Sequence, residues 1–351
     1  MSYDNFYDFN TPIVIDNGSG SLKLGIAGTE RPSREIPTLV GTPKHVRVIL
    51  STERKEKYYG KDAFDHRGLC KLSSPIQKGV VTDMNDMTQL WEHVYKDCIK
   101  VPSEDHPALL TERSNNPVKN RIKTASLFFE RFGAPALYFA PTAVLSLYGS
   151  GRTSGCVLDS GAGITTCVPI WDGFAIPHAI TRMEIGGNDV DKYFEFLLNK
   201  SGLKFHTSSE LQTIKIIKEK ECELQIPNSR KGAGLGTNLL GNLGNNNILS
   251  SIDNDDESAS PKYTLPDGSQ IIIGEARYTA PEILFKPDKI GLEYRGIHYC
   301  VLDSINKCDL DLRKNLYGTI VLSGGNTTIN QFPRRLVYEL QLKSKKAKIK
   351  V

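Results

Sequence analysis

Ile13-Val14-Ile15-Asp16-Asn17-Gly18-Ser19-Gly20-Ser21 is the stretch on which the fold turns, and Cys156-Val157-Leu158-Asp159-Ser160-Gly161-Ala162-Gly163 repeats its grammar. In each copy a short apolar run predicts a strand. A cluster of Asp, Asn, Ser and Gly then turns the chain sharply, and a second apolar run, 22–27 or 164–170, returns. Two copies of Asp-x-Gly-x-Gly between strands predict an internal duplication.

Glycines let a backbone turn tightly and approach a bulky anion. Successive N–H groups in such a turn form a concave nest for phosphate oxygens. An Asp beside the nest repels phosphate unless a cation lies between them. Mg²⁺ suits that place, because it keeps several waters and accepts one or two carboxylates together with phosphates. The pattern therefore sets Asp16 and Asp159 across a Mg-nucleotide from each other, with Lys23 adding positive charge. Each hairpin taken alone reads more readily as a plain structural turn, and only the two copies together bring the phosphate reading level with it. A third glycine turn, Ser323-Gly324-Gly325-Asn326-Thr327, which follows a predicted strand over 319–322, is equally weak alone.

Outward from the hairpins the periodicity changes. Met87, Leu90, Trp91, Val94, Tyr95 and Cys98 follow i, i+3, i+4, i+7 spacing and predict a helix that Thr82 or Asp83 can cap. Val118, Ile122, Ala125 and Phe129 mark a second helix. Thr207-Ser208-Ser209-Glu210 has the form of a capping box before a third, with Leu211, Ile214 and Ile217 inside it. Strands alternating with such helices predict an α/β fold with mixed sheets.

A chain of 351 residues is long for one core, so two domains are expected. The net charge of +4 gives no basic stripe, so no nucleic-acid partner is expected. Seven cysteines are scattered without a CxxC pair, which excludes metal-ligand spacing and predicts reduced thiols. The N-terminal residues 1–10 are acidic and aromatic with no apolar signal region, and no apolar run is long enough to span a bilayer. An intracellular protein without membrane insertion is expected. Residues 228–261 are rich in Gly, Asn and Ser and end in an acidic run, which predicts a disordered surface insertion.

Together these elements resemble the actin superfamily, shared with sugar kinases and heat-shock ATPases. The order is the same: first phosphate hairpin, connecting helices, second phosphate hairpin, adenosine turn. Longer stretches narrow the resemblance to actins. They are Ala143-Val144-Leu145-Ser146-Leu147-Tyr148 followed by Gly151-Arg152-Thr153, then Leu265-Pro266-Asp267-Gly268, Ala280-Pro281-Glu282, and Lys307-Cys308-Asp309-Leu310-Asp311-Leu312-Arg313-Lys314. The match runs from about 12 to 351, broken by 228–261. Within the family, Pro43-Lys44-His45-Val46-Arg47-Val48, His66-Arg67-Gly68-Leu69 and Phe205-His206-Thr207-Ser208-Ser209-Glu210 resemble the centractin branch.

The resemblance implies an actin-like ATPase fold, with two related domains (four subdomains) around a nucleotide cleft. The first domain would be 1–148, with a small outer subdomain at about 38–75. The second would be 149–351, with an outer subdomain at about 186–290 that carries the insertion. The implied cofactors are ATP and Mg²⁺. Gly18, Ser19, Gly20, Ser21 and Lys23 would hold the terminal phosphates from one domain, and Gly161, Ala162 and Gly163 from the other. Asp16 and Asp159 would orient Mg²⁺ through its waters. Gly187, Lys218 and Glu219 would line the adenosine side, with Gly324, Gly325, Asn326 and Thr327 beneath. Read without the family, Lys218-Glu219 is a solvated helix face.

The pattern departs from actins at three positions. Thr142 stands where actins carry a water-positioning Gln, Ala162 replaces the second Asp of the second hairpin, and Thr166 replaces a His. Phosphoryl transfer is mostly positioning and electrostatics, and one such group is worth roughly 10²–10⁴ in rate. Binding is therefore expected to outlast hydrolysis. The sequence also stops at Val351, where actins continue, so the elements that close the adenine pocket are expected to be missing.

The centractin resemblance implies a cytoplasmic, cytoskeletal protein that self-assembles into short filaments within the dynactin complex and supports dynein-based transport. Two other readings stay open: a chromatin-associated actin-related protein, and a phosphotransferase of the same superfamily. For the latter no acidic base for a sugar hydroxyl is evident. If 228–261 is an insertion, replacing it with a short linker should leave the melting temperature within a few degrees. Loop length costs only about 0.6 kcal/mol per doubling. A thermal melt of the deletion variant checks this, and an unfolded variant would show the segment to be packed.

Overall fold

The computed structural model describes residues 10–44, 56–205, 207–227, 262–265, 268–344 and 349–351. The stretch 228–261 read as an insertion, the N-terminal residues 1–9, and positions 45–48, 206, 208–209 (side chains) and 266–267 of the quoted stretches lie outside what is described.

Both Asp-Gly stretches form hairpins, at Ile13–Asn17 with Ser21–Ile26 and at Gly155–Ser160 with Thr165–Trp171. Each hairpin seeds its own sheet. The first sheet has the order Leu137–Pro141, Ala108–Glu112, Ile13–Asn17, Ser21–Ile26, Arg34–Pro37. The second runs Phe174–Ala175, Thr165–Trp171, Gly155–Ser160, Ile320–Ser323, with Thr181–Met183 added on Thr165–Trp171. In both, the leading strand pairs antiparallel with its return and parallel with a strand from later in the chain. The register repeats too: Asp16 faces Lys23, and Asp159 faces Thr166. The duplication predicted from two five-residue patterns thus extends to sheet topology.

Helices cover the sheets. Met84–His93 is capped by the Asp83 carboxylate, which accepts from the Asp86 N–H at 3.0 Å, while the Thr82 hydroxyl is spent on the Pro75 carbonyl. Its apolar face, Met87, Leu90 and Trp91, is fully buried against the first sheet, and Val94–Ile99 continues it as a π-helical turn. Trp91 meets Phe128 edge-on and donates its indole N–H to Asn17 Oδ1 at 3.1 Å, which fastens this helix to the first hairpin.

The second predicted helix exists as Val118–Ser126 and Leu127–Arg131, but the stripe that marked it points outward. Val118, Ile122 and Phe129 are exposed, and the buried contacts come from Thr124 and Phe128. The third, Ser208–Glu221, opens on the predicted capping box: Thr207 Oγ1 accepts from the Glu210 N–H at 3.2 Å, and Glu210 accepts from the Thr207 N–H at 2.8 Å. Thr142–Gly149 follows the edge strand of the first sheet yet packs Ala143 and Leu147 on Val157, Val168 and Ile170 of the second. Among the described residues no helix is long and apolar enough to cross a membrane.

The second core contains a buried charge. Arg335, 1 % exposed, donates to both carboxylate oxygens of Glu282 at 2.8 and 3.0 Å and to Glu339 at 2.9 Å. Removing one partner of a buried ion pair leaves the others uncompensated and costs about 3–5 kcal/mol. Arg335→Leu should therefore lose stability on that scale in urea unfolding. A loss below about 1 kcal/mol would show that the carboxylates find water instead.

Candidate functional site

The two hairpin turns meet. A Cβ placed on Gly20 would lie 3.0 Å from the Cβ of Ala162, and one placed on Gly163 would lie 3.0 Å from Ser19 Oγ and 2.9 Å from the backbone of Lys78. Contacts that short leave room for glycine and for little else. At Gly18 a Cβ would fall 2.4 Å from the Ser21 carbonyl oxygen.

Side chains fix each turn from behind. Thr111 Oγ1 donates to Asp16 Oδ1 at 2.5 Å and accepts from the Asn17 N–H at 2.9 Å, so one hydroxyl from the neighbouring strand orients the carboxylate and the turn. Thr38 donates to the Gly18 carbonyl at 2.7 Å. Ser19 Oγ accepts from the Gly79 N–H at 2.9 Å, which leaves its own proton to donate.

The third turn closes on the second hairpin. Gly324, at φ +88°, passes so near Asp159 that a Cβ would lie 2.8 Å from Asp159 Oδ1 and 2.3 Å from the Ser160 carbonyl oxygen. A side chain there would meet both backbone strain and collision. Asn326, 4 % exposed, donates to Ser160 Oγ at 3.0 Å and the Gly161 carbonyl at 2.9 Å. The helix Gly187–Lys200 docks its first turn on the same loop: the Gly187 and Asn188 N–H groups donate to the Gly161 and Ala162 carbonyls at 2.9 and 2.7 Å. Asp16, the glycines of both turns, Asp159, Gly187, Gly324 and Asn326 are therefore gathered by the fold.

Not every predicted residue points into this space. The Ser21 hydroxyl donates to Glu35 at 2.6 Å. Thr327 bonds back to the Gly324 carbonyl, Gly325 borders open space, and Glu219 is exposed. Lys23 is exposed on the strand, although its charge reaches Asp159. Lys218 is no solvated helix residue: it is 6 % exposed, and its Nζ lies 2.7 Å from Asp191 Oδ1 and 3.2 Å from the Gly187 carbonyl oxygen. The Thr142 hydroxyl donates to the Glu112 carbonyl at 2.9 Å, and Thr166 is buried in its strand.

Sequence reasoning missed Thr111, Thr38 and Lys215. Lys215 Nζ lies 3.8 Å from where a Cβ of Gly20 would be, bringing a cation from the helix Ser208–Glu221 to the first turn. Its i, i+3 spacing from Lys218 was the available signal, since such residues share a helix face.

Electrostatics single out Asp159. Burial first, then the negative charge of Asp16, push the Asp159 carboxyl up to about 6, against the pull of Lys23 and a hydrogen bond from Ser323. An acid raised in the folded state holds its proton more tightly folded than unfolded. Its contribution to stability is present at low pH and is lost as pH rises through the folded value. With divalent cations chelated, the melting temperature of the wild type minus that of Asp159→Asn should fall as pH rises from about 4 to about 6.5. A difference flat in pH would show that Asp159 is not strained.

With the geometry in place, comparison with known proteins gives two results. The family profile described as actin matches residues 7–351. A protein described as an actin-like protein from Neurospora crassa is 44% identical over 345 residues, covering 97% of this chain and 87% of its own length.

Proposed function

The chain belongs to the actin family of cytoskeletal proteins, and on that premise we propose that it binds Mg-ATP between its two hairpins and serves as a filament protomer of the centractin kind. The observation that carries the first part is the meeting of two glycine turns, each with an Asp at its base and with glycines at places where an added Cβ would crowd its neighbours. Members of the family bind ATP and a divalent metal. Bound Mg-ATP would supply the cation that relieves Asp16 and Asp159, and a triphosphate for the turn N–H groups to cap.

In this reading the chain's residues divide the work. Gly18, Gly20, Gly161 and Gly163 present backbone donors, Ser19 donates its free proton, and Lys215 and Lys23 add positive charge. Asp16, held by Thr111, and Asp159, held beside Ser323, orient the metal's waters. Gly187, Lys218 and Asn326 form the nucleoside side, with Gly324 closing beneath Asp159. The division into 1–148 and 149–351 belongs to the same proposal, with Thr142–Gly149 as the connection.

Hydrolysis is proposed to be weak. The Thr142 hydroxyl is spent on the Glu112 carbonyl, Ala162 has no charge, and Thr166 is buried opposite Asp159 in the strand pairing. None of the three is placed to orient an attacking water. A protomer that keeps its ATP suits a stable short filament. The dynactin and dynein partnership rests on the centractin wording of the sequence, and co-purification with dynactin subunits tests it.

Mg-ATP should raise the melting temperature, since a ligand that binds only the folded state stabilises it by RT ln(1 + [L]/Kd). Asp16→Ala with Asp159→Ala should abolish the rise. An unchanged melt at saturating Mg-ATP in folded wild-type protein would remove the cleft reading. In a single-turnover assay with labelled ATP, restoring Gln at 142, Asp at 162 and His at 166 together should raise hydrolysis by about 10² or more while affinity changes little.

A further inference from the structure

We propose that Asp191 is a positioning residue for the nucleoside end of the cleft, acting through Lys218; this rests on the nucleotide reading above. Asp191 lies on Gly187–Lys200 one turn after Gly187, so its carboxylate and the Gly187 carbonyl fall on one side of that helix. Lys218 comes from Ser208–Glu221 and reaches both: Nζ is 2.7 Å from Asp191 Oδ1 and 3.2 Å from the Gly187 oxygen. The contact with Asp191 is one of charge, off the line of a well-aimed hydrogen bond.

Gly187 is where the nucleoside side converges. A Cβ built there would lie 2.9 Å from Asn326 Oδ1, 3.3 Å from Lys218 Nζ and 3.4 Å from Ala162 Cα. An ammonium has three N–H donors and no acceptor. One goes to the Gly187 carbonyl and a second side of the group is held by Asp191. The N–H groups not spent on Gly187 are left for an acceptor on a ligand in the pocket, such as a ribose oxygen or a purine ring nitrogen. The role of Asp191 is therefore directional. Its carboxylate is the counter-charge to a buried ammonium, and it sets where the remaining N–H groups point. The carboxyl of Asp191 is itself held above the ordinary range, by burial first, while Lys218 and Lys215 pull it down and Glu219 pushes it up. That balance marks it as the buried partner of these lysines, not a solvent-facing charge.

The test compares Mg-ATP with Mg-tripolyphosphate, which lacks the nucleoside, by isothermal titration calorimetry on the full chain. Asp191→Ala should weaken Mg-ATP about tenfold, the scale of one hydrogen bond from a charged group, and leave Mg-tripolyphosphate unchanged. Lys218→Met should give a similar loss, and adding Asp191→Ala to Lys218→Met should cost nothing further. Asp191→Asn, nearly identical in shape, should show a smaller loss in the same direction and provides the measurement if Asp191→Ala fails to fold. Wild-type protein that ignores Mg-ATP would overturn the nucleotide reading together with this one. Wild-type protein that binds Mg-ATP overturns the role of Asp191 alone in either of two cases: the Asp191 variants lose both ligands equally, or they lose Mg-ATP equally with and without Lys218.

Discussion

Two carboxylates aimed at one space set the terms for the rest of this structure. Asp16 and Asp159 occupy matching places in two hairpins, and the turns that follow them touch. Burial first, and then the like charge of Asp16, disfavour the ionised form of Asp159 and hold its carboxyl above the ordinary range. The fold does not relieve this by moving either group. Thr111 pins Asp16 from the neighbouring strand, and Asp159 is confined by the backbone of Gly324. Geometry that holds two acids together against their repulsion is what the proposed Mg-nucleotide would need. The glycines beside them follow from the same crowding, because any Cβ at Gly18, Gly163 or Gly324 meets backbone at under 3.0 Å.

What the sequence revealed was what is local. A hairpin is specified by a strand run, a turn and a return, all close together along the chain, so both hairpins fell where their patterns lie. The capping box at Thr207 and the cap at Asp83 were readable for the same reason. The helix at Val118 shows the limit: periodicity gave its existence, but Thr124 and Phe128 rather than the apolar stripe face the core. Which side packs is decided by elements distant in the chain. Thr111, Thr38 and Lys215 escaped notice because each reaches its turn through tertiary packing, from about 20 residues away to nearly 200. Lys218 looked like one more helix charge, since its partner Asp191 lies a whole element away.

The substitutions at 142, 162 and 166 are not mere deletions. Thr142 anchors the first turn of its helix to the Glu112 carbonyl, and Ala162 lies so close to Gly20 that a Cβ on that glycine would come within 3.0 Å of its own. Thr166 continues a buried strand beside Asp159. Each residue is therefore integrated into packing.

How the two sheets are tied together bears on the same point. The helix Thr142–Gly149 grips both: Thr142 bonds to Glu112 of the first, and Ser146 meets Ser323 of the second at 3.1 Å. At the hairpins, by contrast, direct contact is slight. Lys78 pairs with Glu184 at 2.8 Å, but the side chains are 53% and 36% exposed, and such pairs contribute about 0–1 kcal/mol. The glycine turns touch without interdigitating. A joint that is firm at one helix and weak at its mouth can open about the firm side. Whatever fills the space between Asp16 and Asp159 then decides how often it does. A bound cation and polyanion, gripping both turns at once, would couple the sheets far more strongly than the ion pair at the rim. On the nucleotide reading proposed above, the conformational state of the chain would accordingly follow the occupancy of that site.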